Sequence, residues 1–142
     1  NQSRRQRQMC IRDRTYAYEL RKEQQKLWKI VQNQQDFSNL IDRLYHIYRQ
    51  HDMPRHESEA ERYTSLFEHE LLQDESQALS LKALIDFHRI YMFYYESLGK
   101  REDAYRHIKT QLDLLNRNDF FIKVYPDIYI SVLNNIILLF IY

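Results

Sequence analysis

Only one glycine, Gly99, and two prolines, Pro54 and Pro126, occur among the 142 residues of this chain. These two residue types supply the backbone conformations of tight turns, so the chain cannot build many hairpins or a phosphate-cradling loop. Hydrophobic residues make up 44% of the sequence, which is enough for a packed core. The sequence therefore predicts an all-α protein. It also excludes a disulfide scaffold, because Cys10 is the only cysteine.

Residues 4–14 differ in character from the rest of the chain. They read RRQRQMCIRDR, which resembles one reading frame of a transposon-end adapter used to prepare sequencing libraries. We therefore expect residues 1–14 to be a non-native addition. Five arginines and one aspartate give this segment a charge of +4, so residues 15–142 carry 16 basic against 19 acidic residues, a net charge of −3. This balance argues against direct binding of nucleic acid.

Apolar spacing predicts two helices in the first third of the chain. Residues 16–31 carry few apolar side chains, which is typical of a surface helix. A second helix is predicted to begin at Asp36, whose carboxylate would be the N-cap, and to end before Pro54. Its apolar stripe recurs at helical spacing and consists of Phe37, Leu40, Ile41, Leu44 and Tyr48.

Two further helices are predicted from their first turns. Ser58 and Glu61 have the spacing of a capping box, so a helix should follow to about Leu72. Pro126 suits the first position of the final helix, where a backbone N–H is not needed. The apolar segment that follows, residues 128–142, is shorter than the ~20 residues that cross a bilayer. We therefore expect no membrane span and a cytoplasmic protein.

Residues 78–98 carry apolar side chains on almost every side. Leaving one side in water would expose a large apolar area at ~25 cal/mol per Å², so neighbours must cover this helix on two or more sides. Gly99 follows, where many helices end in a left-handed backbone conformation. The next helix is therefore predicted to fold back as the second half of an αα-hairpin.

The turn after this helix carries a family resemblance. Leu98, Gly99 and Ala104, with Tyr95 before them and Ile108 after them, resemble the turn of a tetratricopeptide repeat. The resemblance covers about half the chain and extends to poorly characterised bacterial repeat proteins. It departs from the pattern at His88, Met92, Gln111 and Asn116. It implies that residues 15–142 form a single helical-repeat domain, truncated at its C-terminus, in which antiparallel hairpins stack as a short solenoid.

The resemblance also implies a function. Tetratricopeptide proteins are mostly non-enzymatic scaffolds, and the first helix of each hairpin lines a concave face that binds a partner peptide or protein. The candidate partner-binding residues are therefore the line of polar residues on the helix predicted for residues 78–98. The alternative interpretation is that these residues only face solvent and bind no partner. An alternative function is the sensing region of a bacterial transcriptional regulator whose DNA-binding domain lies outside this sequence. The polar line consists of Lys82, Asp86, Arg89 and Glu96.

Other site chemistries find little support. A zinc site needs ligands paired on one helix face with a third nearby, but the six histidines are scattered over several segments, and His51 and His56 flank a loop that contains a proline. His88, on the apolar helix, is predicted to be a buried, hydrogen-bonded imidazole. No nucleotide-binding loop or nucleophile elbow is present, so we expect no cofactor and no enzymatic activity. Helical spacing predicts hairpin packing, rather than an aromatic binding patch, for Tyr91, Tyr94, Tyr95 and Tyr105.

Overall fold

The computed structural model of the chain describes residues 2–50 and 63–141, and every regular element within them is helical. This confirms the all-α prediction. Two short 3₁₀ turns, Glu70–Leu72 and Glu75–Gln77, separate the second helix from the third. The helices are α1 (Gln2–Gln50), α2 (63–67), α3 (Leu81–Ser97), α4 (Arg101–Asn116), α5 (Asp119–Val124) and α6 (Pro126–Ile141).

One continuous helix, α1, replaces the two helices predicted for the first third of the chain. The predicted start at Asp36 is wrong, because Asp36 lies inside α1 and its carboxylate accepts a hydrogen bond from Gln32 Nε2 at 3.0 Å. No glycine or proline interrupts α1, so nothing forces the backbone to break where the apolar stripe begins. Pro54 and the capping box of Ser58 and Glu61 lie outside the described residues.

The two halves of α1 have different surroundings. Residues 3–29 are exposed, including large apolar side chains such as Leu27 and Trp28. From Asn33 onward, one face is buried against α3, and Phe37 and Leu44 are among its fully buried side chains. The predicted surface segment and the predicted apolar stripe are thus joined in a single helix. Four residues of the stripe, Phe37, Leu40, Ile41 and Leu44, are buried, and the side chain of Tyr48 lies outside the described part of the structure.

Helix α3 lies between two layers of core. One side contributes Ala83, Phe87 and Ile90 to a cluster that includes the buried face of α1. The other side contributes Ile85 and Met92 to a second cluster with α4 and α6. Burying a large aliphatic side chain contributes roughly 1.5–3 kcal/mol, so both layers stabilise the position of α3. The predicted two-sided burial of this helix is confirmed.

Side chains of α1 hold the segment that leads into α3. Asn33 Nδ2 donates to the carbonyl of Gln77 at 2.9 Å, and the amide of Leu79 donates to Asn33 Oδ1 at 2.9 Å. The helix then begins at Leu81 instead of residue 78, because Ser80 is its N-cap and accepts a hydrogen bond from the third amide of the helix at 3.2 Å. The long apolar run therefore starts three residues before the helix does.

The predicted hairpin between α3 and α4 is present. Gly99 has a φ of 73°, in the left-handed region that favours glycine. The amide of Lys100 donates to the carbonyl of Tyr95 at 2.9 Å and closes the end of α3. Leu98 is half exposed in the turn, whereas Ala104 is fully buried between the two helices.

Helix α6 starts at Pro126, as predicted, and packs against α4 through one face that includes the buried Val132. Its opposite face leaves Ile130 and Ile137 half exposed. Among the described residues, no helix combines the length and the apolar character that a membrane span requires.

Candidate functional site

Two of the four residues of the predicted polar line, Lys82 and Arg89, contact α1. Lys82 Nζ donates to Ser38 Oγ at 3.2 Å, and Arg89 Nη2 donates to the hydroxyl of Tyr45 at 2.6 Å. The Arg89 guanidinium also lies 5.6 Å from the centre of the Tyr45 ring. These cations therefore hold α3 against α1 within the same chain.

The carboxylates of the line differ from one another in exposure. Asp86 is only 4% exposed, and its Oδ2 lies 3.5 Å from Lys82 Nζ. Burial raises the pKa of the Asp86 carboxyl, against the opposing effect of the Lys82 and Arg89 cations. Glu96 is exposed near the end of α3, where partial desolvation raises its pKa and Arg101 opposes that shift. Asp86 is thus an interior residue, whereas Glu96 and parts of Lys82 and Arg89 stay accessible.

A cleft of about 340 Å³ lies on the opposite edge of α3, where the 3₁₀ turn Glu75–Gln77 meets the α3–α4 hairpin. Four rings from α3 and α4 line it, and three polar residues from the segment before α3 complete its lining. We call it the aromatic cleft. Its lining consists of Phe87, Tyr91, Tyr95 and His107 together with Gln73, Asp74 and Glu75.

Two histidines pair beside the aromatic cleft. The Nδ1 atoms of His88 and His107 are 2.9 Å apart, so one imidazole donates a hydrogen bond and the other accepts it. His88 is 3% exposed, and its Nε2 lies 3.2 Å from Glu75 Oε1. The prediction of a buried, hydrogen-bonded imidazole at His88 is confirmed.

Both imidazoles are harder to protonate than a free histidine. Burial lowers the pKa of His88. Burial also lowers the pKa of His107 to about 4, with further lowering by the adjacent His88 and by Arg106. At pH 7 the side of the cleft formed by His107 is therefore uncharged.

The His107 ring stacks against two tyrosines. Its centroid is 5.5 Å from that of Tyr91, at an angle of 17° between planes, and 5.5 Å from that of Tyr95, at 16°. The Tyr91 hydroxyl donates to the carbonyl of Leu72 and ties the ring to the segment before α3. These tyrosines pack in the hairpin as predicted, and they also line a cleft that the sequence reasoning missed. The available signal was the spacing of His88, Tyr91 and Tyr95, which places them on one edge of the helix.

A larger cavity of about 600 Å³ lies between the start of α4 and the end of α6. Basic and acidic side chains both line it, so its charge selects no ligand class. Among the described residues, no three His, Cys, Asp or Glu side chains are grouped closely enough to hold a metal ion. The cavity is lined by Arg101, Glu102, Tyr105, Arg106 and Leu139.

Comparison of the chain with family models, with curated proteins and with solved structures finds no significant match. The tetratricopeptide resemblance of the α3–α4 turn therefore stays a prediction.

Proposed function

We propose that this chain is a non-enzymatic interaction scaffold built of tetratricopeptide-like helical hairpins, and that it binds a partner peptide or protein. The observation that supports the proposal most strongly is the position of α3 between two core layers. Helix α1 packs on α3, α3 packs on α4 and α4 packs on α6, so each helix in this series contacts the next one. Stacks of this kind are how helical-repeat proteins extend a core and present a surface for partners.

The turn between α3 and α4 adds support. Gly99 has the left-handed backbone that a tight helical hairpin needs, and Ala104 is small enough to be fully buried where the helices meet. Both residues occupy positions that the family resemblance assigns to the turn. The accessible parts of Lys82, Arg89 and Glu96 are then available for polar contacts with a partner on the exposed edge of α3.

A peptide-display selection against the purified chain tests this proposal. We expect selected peptides to shift NMR signals of α3 residues on its accessible edges, and Glu96→Gln or Tyr95→Leu to weaken binding. Glu19→Gln, which changes an exposed carboxylate in the first half of α1, is the matched control and should leave binding unchanged. Enrichment no greater than on an unrelated helical protein, or peptides that contact residues 3–29 alone, would contradict the scaffold.

A further inference from the structure

The lining of the aromatic cleft carries negative charge at neutral pH. Asp74 and Glu75 are exposed at its edge. The Ser76 hydroxyl donates to Asp74 Oδ2 at 2.6 Å, and hydrogen bonds from Ser76 lower the pKa of the Asp74 carboxyl. His107 is neutral at pH 7, because its pKa is about 4. Among the residues that the structure describes, none of those that line the cleft is a lysine or an arginine.

Buried contacts hold the cleft in shape. The buried His88 Nε2 lies 3.2 Å from Oε1 of the exposed Glu75 at the edge of the cleft. The Tyr91 hydroxyl is bonded to the carbonyl of Leu72, and the His107 ring stacks on Tyr91. The rings and the carboxylates that line the cleft are thus in place before any ligand arrives, which lowers the entropy that binding must overcome.

These features suit one side chain in particular. The faces of aromatic rings carry a negative quadrupole and attract cations, more often arginine than lysine in proteins. A planar guanidinium can stack on a ring while its N–H groups donate to a carboxylate. An anionic ligand would meet two carboxylates and, within the described part of the lining, no lysine or arginine. The larger cavity between α4 and α6 has no such preference, because Arg101, Glu102 and Arg106 give it both signs.

We propose that the aromatic cleft binds an arginine side chain of the partner, with its guanidinium against the Tyr91–Tyr95 edge and its N–H groups donating to Glu75 and Asp74. The inference rests on the proposed scaffold function and names the chemistry that the partner must present. The site lies opposite the polar line and recruits none of its residues.

A pair of short peptides tests the assignment on the full chain. Ac-Gly-Arg-Gly-NH₂ should shift the ring signals of Tyr91, Tyr95 and His107 in an NMR titration. The same peptide with citrulline has nearly the same shape but no charge, and we expect it to bind about tenfold more weakly, since charge-assisted hydrogen bonds are the stronger ones. Equal binding of the two peptides would overturn the proposal.

Substitutions test whether the preference for arginine over citrulline arises at the aromatic cleft. Glu75→Gln should remove most of the preference for arginine over citrulline, whereas Asp113→Asn, an exposed carboxylate of α4 outside the cleft, should keep it. Tyr95→Leu provides a second route if Glu75→Gln loses helical content by circular dichroism. An arginine preference that survives in folded Glu75→Gln and folded Tyr95→Leu would overturn the cleft. If library peptides bind α3 elsewhere while the arginine peptide fails, the cleft is wrong and the scaffold stands.

Discussion

The two edges of α3 lie between the same pair of core layers but have opposite character. The edge with Lys82 and Arg89 is charged, and both cations donate hydrogen bonds to side chains of α1. The edge with Tyr91 and Tyr95 is aromatic, and it opens into a cleft of about 340 Å³. The charged residues that the sequence suggested for partner binding thus make contacts within the chain. The candidate ligand site is instead formed by tyrosines whose spacing predicted helix packing.

Substitutions in the two core layers that cover α3 should have the largest effect on the free energy of unfolding. Ile90→Ala should leave a cavity in the core layer that α3 shares with α1 (the α1 layer). Ile85→Ala should leave a cavity in the layer that α3 shares with α4 and α6 (the α4 layer), and both isoleucine side chains are fully buried. Each should lower the free energy of unfolding by about 2–5 kcal/mol, measured by urea denaturation. Leu27→Ala, on the exposed half of α1, should change it by less than about 0.5 kcal/mol. A small loss at only one of the two isoleucines would show that α3 is covered on one side.

Acid should lower the free energy of unfolding through His107, which lies on the aromatic edge. In the unfolded chain His107 titrates near the ordinary 6.5, whereas in the folded chain its pKa is about 4. The unfolded state therefore binds more protons between these values, so stability is complete above pH 6.5 and falls as the pH drops toward 4. We expect His107 to account for about 1–3 kcal/mol of this loss, from unfolding measured across the range.

The contribution of His107 is isolated by comparing variants. His107→Phe keeps a ring against Tyr91 and Tyr95 but cannot titrate, so its stability should depend less on pH between 6.5 and 4 than that of the unmodified chain. Leu27→Ala, on the exposed surface of α1, should retain the full dependence. The same pH dependence in His107→Phe and in the unmodified chain would contradict the account of this edge.

The charged edge should respond to loss of a single hydroxyl. Tyr45→Phe removes the acceptor of the 2.6 Å hydrogen bond from Arg89 while keeping the ring beside its guanidinium. We expect a loss of about 1–2 kcal/mol in unfolding free energy, because a hydrogen bond to a charged group is lost. Tyr18→Phe, at an exposed position of α1, should have no measurable effect. No difference between these two substitutions would mean that the charged edge adds nothing to stability.

The turn that joins α3 to α4 should give the smallest effect. A methyl group at Gly99 meets no atom within 4 Å, so Gly99→Ala is opposed only by the backbone conformation, with φ at 73°. The expected loss is about 1 kcal/mol. A Gly99→Asn variant should lose less, because asparagine tolerates this conformation better. An unchanged stability for alanine would show that the backbone at this turn relaxes.

Patterns within single helices were readable from the sequence. The apolar stripe from Phe37, the two-sided burial of residues 78–98 and the Gly99 turn follow from spacing and from what each residue type tolerates. The predicted helix start at Asp36 was wrong because an aspartate caps a helix only where the residues before it are not helical, and here they already belong to α1. The His88–His107 pair joins positions on two helices, and no spacing rule along the chain predicts which side chains meet across a hairpin.

Methyl contacts test the position of α3 most directly. In a nuclear Overhauser experiment, Ile90 should show cross-peaks to methyl groups of the α1 layer, which contains Leu40 and Leu44, while Ile85 and Met92 should show them to residues of the α4 layer such as Ile108. Observing both sets in one sample is the result we predict. Cross-peaks to only one layer, with the methyl groups of the other side of α3 in water, would contradict the account.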